Sequence, residues 1–101
     1  MGKAKPLTVG TQVFAKQEDA LLFCKIMLAK YRPDEWVSEF DAQFLTELLK
    51  RHPDADDKIG NGVHHFEVMR ADFNTKCFAV VRRDGSRVDF SYIVCIRSPR
   101  G

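Results

Sequence analysis

No apolar run in the sequence approaches the roughly 18 residues of a transmembrane helix, so a helical membrane span is excluded. Cysteine is sparse: Cys24, Cys77 and Cys95 leave one thiol unpaired in any disulfide scheme and show no CxxC spacing. A reducing compartment follows, with all three expected as small buried hydrophobes. Phosphate-loop motifs are missing too. Lys58 stands near Gly60 and Gly62, but the pattern is neither a Walker A motif nor a dinucleotide fingerprint. Asp54, Asp56 and Asp57 lack the glycine and distal glutamate of an EF-hand loop, so no metal site is expected there. The opening Met1 to Pro6 carries charge without the apolar stretch of a secretory signal and is too short for a transit peptide; a cytoplasmic location is expected.

Catalytic groups do not assemble either. His64 and His65 are neighbours in a strand-like stretch and are expected on opposite faces, where they cannot act together. His52 sits at a helix end, where bonding to carbonyls is the usual task. An inward Cys77 among apolar neighbours would have its thiol pKa raised, the wrong direction for a nucleophile. Neither enzyme activity nor a cofactor is expected.

What is present is an ordinary globular composition, 45% hydrophobic and 30% charged, in a chain of 101 residues, enough for one core and one domain. The net charge of +2 is unevenly spread. Residues 1–57 hold eight Lys/Arg against ten Asp/Glu, while residues 58–101 hold eight against four. A basic second half suits an anionic partner such as a nucleic acid, and equally describes a solvated face.

Residues 1–10 lack periodicity and are expected as a flexible lead-in to a single domain over 11–97, with 98–101 as a tail. Thr11 to Phe14 suits a short strand. Ala20, Cys24, Met27 and Tyr31 recur at helical spacing over Lys16 to Tyr31, with Glu18 and Asp19 in the first turn, where carboxylates complement the dipole. Pro33 and a lone Trp36 mark a connection, the tryptophan expected to cap the core edge. A second helix starts near Ser38 or Asp41, buries Phe44, Leu45, Leu48 and Leu49, and stops before Pro53. After a polar loop over residues 52–62, expected to hold at least one glycine at positive φ, comes a strand with Phe66 and Val68 on one face and Glu67 and Met69 on the other.

Cys77 to Arg83 and Val88 to Tyr92 flank Asp84-Gly85 and read as a β-hairpin. A two-residue turn there pairs Arg83 with Ser86, Val81 with Val88, Ala79 with Phe90 and Cys77 with Tyr92, which faces Phe78, Val80, Arg82, Arg87, Asp89 and Ser91 outward. The expected fold is α+β: two helices on one face of a three- to four-stranded antiparallel sheet that ends in this hairpin. On that register Lys58, Arg70, Lys76, Arg82 and Arg87 share one basic surface and Phe78 offers a base a stacking platform, unless the N-terminal segment covers it. Asp89 reads as structural, within diagonal reach of Arg82 and Arg87.

Ala20, Asp41 with Phe44-Leu45 and Leu48-Leu49, His52-Pro53, Lys58-Ile59-Gly60-Asn61-Gly62, Cys77-Phe78, Arg83-Asp84-Gly85-Ser86, Asp89-Phe90-Ser91-Tyr92 and Cys95-Ile96 occur in an order that resembles the DCL (Defective Chloroplasts and Leaves) family, a domain of unknown function. The resemblance runs from about Val13 to Ile96. It implies a domain linked to plastid ribosomal RNA maturation in plant members and present near the C-terminus of the largest subunits of plant-specific RNA polymerases. Two functions are therefore expected to compete. One is a non-catalytic RNA-associated module that touches ribosomal RNA or its precursors. The other is a protein-interaction module docking on a transcription or RNA-processing complex. In either case the chain is expected to be monomeric and to make no membrane contact.

Overall fold

A computed structural model describes residues 6–98, and it opens with a small hairpin in which β1 (Leu7–Val9) pairs antiparallel with β2 (Gln12–Phe14). Alternation explains it: Leu7, Val9 and Phe14 are buried while Thr8 and Gln12 face solvent. Part of the stretch expected as lead-in is thus a strand; residues 1–5 and 99–101 lie outside the described residues.

Helix α1 (Gln17–Ala29) turns Ala20, Cys24 and Met27 inward, as its spacing predicts. Helix α2 (Glu39–Leu49) begins at Ser38, whose hydroxyl accepts from the Asp41 N–H at 3.2 Å, and buries Leu45, Leu48 and Leu49. The two are tied where α1 ends and α2 begins. Asp41, buried, accepts from the Tyr31 hydroxyl at 2.6 Å and from Lys30 Nζ at 2.8 Å. Burial alone would push its carboxyl pKa up, but the donors Lys30, Tyr31 and Ser38 outweigh burial and hold it below the usual carboxylate range.

Within the polar loop lies a short helix, α3 (Ala55–Ile59), closed by Gly60 at φ 57; Gly62 also takes positive φ, at 122. Strands β3 (Val63–Arg70), β4 (Lys76–Arg82) and β5 (Arg87–Phe90) follow as an antiparallel meander in that spatial order. Residues 34–37 add a partial fourth strand along the free edge of β3, with Val37 N–H to Phe66 O at 2.9 Å and Val68 N–H to Glu35 O at 3.0 Å. The chain then folds into α4 (Tyr92–Arg97), capped by Ser91, so Tyr92, expected at the end of the hairpin strand, opens a helix instead. The fold is α+β, and α1, α2 and α4 share one core with the sheet face made by Phe66, Val68, Phe78, Val80 and Phe90.

The hairpin register differs from the expected one by a single residue. Observed pairs are Val81 with Arg87, Val80 with Val88, Ala79 with Asp89 and Phe78 with Phe90. The connection holds three residues, not two: Arg82 N–H bonds to Ser86 O at 2.8 Å, Gly85 N–H bonds to Arg82 O at 2.9 Å, and Gly85 sits at φ 90. Because side chains alternate with period two, this slip exchanges the faces. Phe78 is therefore a core residue with no exposed surface, and Cys77 turns outward and half-buried. Cys95 is buried on α4.

Two outcomes test these assignments. Urea unfolding of Phe78→Ala is expected to show a loss of about 3–5 kcal/mol, typical of an emptied aromatic core site, whereas Cys77→Ala costs about 1 kcal/mol; the register with Cys77 inward requires the reverse order. The second concerns pH. A carboxyl with a depressed folded pKa contributes stability that is complete above its unfolded value and disappears as pH falls through the folded one. Asp41→Asn is accordingly expected to cost about 1.5–3 kcal/mol at pH 7, and the gap to wild type should narrow in unfolding curves recorded at successively lower pH through the acid range.

Candidate interaction surface

The face of the sheet turned away from the helices carries His65, Glu67 and Met69 from β3, Cys77, Ala79 and Val81 from β4, and Arg87 and Asp89 from β5. A polar chain crosses it. Arg87 donates to Glu67 Oε1 at 3.1 Å and to Asp34 Oδ1 at 3.2 Å, and the bonds from Glu67 and Asp34 raise the pKa of its guanidinium further. The other oxygen of Glu67 lies 2.7 Å from His65 Nε2, and His65 Nδ1 lies 2.7 Å from His64 Nδ1. One tautomer set satisfies both contacts: His64 Nδ1–H donates to His65, and His65 Nε2–H donates to Glu67.

His64 and His65 thus meet, against the expectation from strand parity. The reason is a register irregularity between Val63 and His65, a bulge that takes the two rings off strict alternation. Trp36 rests on this pair. Its ring stacks on His65 with centroids 3.6 Å apart and planes at 15°, and meets His64 edge-on at 6.0 Å. It does not cap the core: 60% of the residue is exposed. Beside it opens a groove of about 480 Å³ between the start of β3 and α2, floored by Val37, Ala42 and Phe66 and edged by Glu39, Gln43 and Thr46. Glu39 is the one carboxylate lining this groove, while Asp34 and Glu67 are both paired with Arg87 on the adjoining sheet face.

The cations proposed from sequence do not share a surface. Lys58 Nζ bonds to Asp89 O at 2.8 Å, across the open edge of β5. Lys76 Nζ bonds to Tyr31 O, a carbonyl beyond the end of α1. Arg82 donates to Asp57 O at 2.8 Å, Lys58 O at 3.0 Å and the Ser86 hydroxyl at 3.1 Å, closing the carbonyl end of α3, while Arg87 stands on the opposite sheet face. Asp89 is exposed and forms no ion pair with Arg82 or Arg87 among the described residues. Arg70 is exposed at the end of β3, and with Phe78 buried the aromatic near it is Phe73, 96% exposed at φ 58 in the β3–β4 loop. Sequence reasoning missed Trp36, Asp34 and the histidine pair. The available signal was a single tryptophan in a polar connection flanked by Asp34, Glu35 and Glu39.

Burial, with Asp89 adding to it, raises the Cys77 thiol pKa, and Arg87 opposes only part of that. Among the described residues no group of three His, Cys, Asp or Glu side chains is arranged to hold a metal.

Comparison with known proteins places these features in context. The profile of a family described as a protein of unknown function (DUF3223) matches residues 25–96. Protein DCL, chloroplastic, from Solanum lycopersicum is 49% identical over 52% of this chain and 25% of its own length. DNA-directed RNA polymerase IV subunit 1 from Arabidopsis thaliana is 34% identical over 94% of this chain, which spans only 7% of that protein. The solution NMR structure of an uncharacterized protein from Rhodospirillum rubrum superposes with a TM-score of 0.86 at 53% identity, covering 94% of this chain and 91% of that one. The tomato name gives the expected cytoplasmic location no support.

The roles of the two arginines separate by measurement. Arg82→Ala is expected to lower unfolding stability by about 1.5–3 kcal/mol, because it strands carbonyls bonded to a charged donor. Arg87→Ala, which breaks pairs at the solvent boundary, is expected to cost about 1 kcal/mol or less. Equal losses in urea denaturation would contradict the assignment.

Proposed function

The chain belongs to the DUF3223 family, with DCL proteins among its relatives, and on that premise we propose that it is a non-catalytic docking domain that binds a protein segment at the Trp36 groove. The carrying observation is Trp36 itself, a large aromatic that is 60% exposed yet held in one orientation by its stack on His65. A rigid exposed aromatic loses little conformational entropy on binding, and tryptophan is prominent among residues that dominate interface energies. The groove is lined by apolar and aromatic side chains with one carboxylate, Glu39, and no Lys or Arg, which favours an apolar partner segment over a polyphosphate. A matched segment that is a small part of a much longer polymerase subunit suits a module carried by larger machinery.

RNA association keeps one supporting feature, the β3–β4 loop, where exposed Phe73 lies three residues beyond Arg70. A cation and an exposed ring close in sequence are workable contacts for a single-stranded nucleic acid.

Photocrosslinking distinguishes the two. With benzoylphenylalanine placed separately at positions 36 and 73 in cells, docking at the groove yields a discrete adduct at position 36 that protease removes and ribonuclease leaves intact. A nuclease-sensitive adduct at position 73, with no protein adduct at 36, would overturn docking in favour of RNA contact.

A further inference from the structure

Helix α1 turns Ala20, Cys24 and Met27 into the core, which leaves Leu22 and Ile26 on its outer stripe with Glu18 and Lys25. Alongside, α4 presents Ile93 and Val94, also exposed. The two helices border a groove of about 400 Å³ lined by Glu18, Leu21, Leu22, Lys25, Tyr92 and Ile93, with Arg97 at its rim. Exposed Leu22 and Ile93 meet at this groove, with exposed Ile26 and Val94 on the same two packed helices, and exposed apolar side chains gathered in this way mark an association surface.

We propose that this face takes a second copy of the same chain, in a two-fold arrangement with the α1 helices antiparallel. Charge spacing argues for that occupant. Glu18 and Lys25 lie two helical turns apart with Leu22 between them, and neither forms an ion pair among the described residues. Reversing one α1 against another about an axis between Leu21 and Leu22 sets each Glu18 beside the opposing Lys25 and brings the two Leu22 side chains next to the axis. A two-fold interface must be complementary to itself, and a stripe reading acid, leucine, base meets that condition only when antiparallel. A parallel pairing sets Glu18 on Glu18 and Lys25 on Lys25. The face shares no lining residue with the Trp36 groove.

Sedimentation velocity over about 10 μM to about 1 mM, a span that resolves weak association, tests the proposal on the full chain. Wild type is expected to shift with concentration from 11.6 kDa toward twice that mass. Leu22→Asp, at an exposed helical position, should weaken dimerisation about tenfold or more while circular dichroism remains that of the wild type. Glu18→Lys and Lys25→Glu should each weaken it about two- to fivefold, and the double charge swap should restore it. A wild type that stays at monomer mass throughout, or a Leu22→Asp protein that dimerises like wild type, would overturn the second-copy assignment. Single variants that weaken dimerisation without rescue by the double swap would overturn the antiparallel geometry.

Discussion

The hairpin joining β4 and β5 governs what each face of this molecule is. Gly85 at φ 90 lets Arg83, Asp84 and Gly85 form a three-residue connection, and that count puts Phe78 and Val80 beside Phe90 and Val88 on the core side. Asp84 reinforces it, accepting from both the N–H and the hydroxyl of Ser86 at 2.9 and 2.6 Å; those bonds hold its carboxyl pKa below the ordinary value. Everything on the outward face follows, including the meeting of Arg87 with Glu67 and the polar chain under Trp36.

A second constraint is the satisfaction of backbone carbonyls at helix ends, which short helices cannot meet internally. Arg82 closes α3, and Arg51 closes α4 by donating to Cys95 O at 3.0 Å and to Ile96 O and Ser98 O, each at 3.2 Å. Lys76 does the same beyond α1, and Lys58 covers the open edge of β5, where an unpaired strand invites misassociation. Much of the positive charge in the second half of the chain is thus internal architecture. This shifts the functional reading from a phosphate-binding sheet to the tryptophan-bearing groove at the other edge.

The sequence reveals those parts of the fold in which one periodicity dominates. Ala20, Cys24 and Met27 identify α1; Ser38 with Leu45, Leu48 and Leu49 identifies α2; and Phe66 with Val68 orients β3. The β4 register escapes because Cys77, Phe78, Ala79, Val80 and Val81 are apolar at both parities, as a central strand buried on both faces requires, so alternation cannot choose between two turn lengths. Helix α4 escapes because Tyr92-Ile93-Val94 has strand-forming composition; its helicity comes from the Ser91 cap and from Arg51, forty-four residues from Cys95. The site escapes for a related reason: a bulge brings His64 to His65, and a non-local edge pairing brings Trp36 to them.

A nuclear Overhauser measurement on the folded protein bears most directly on the hairpin. In an antiparallel pair the α-protons approach closely at positions that do not exchange hydrogen bonds. The observed register predicts strong cross-peaks between the α-protons of Val81 and Arg87 and between those of Ala79 and Asp89. Cross-peaks between Arg82 and Arg87 and between Val80 and Asp89 in their place would mean a two-residue turn, return Phe78 to the surface, and contradict the account of both faces.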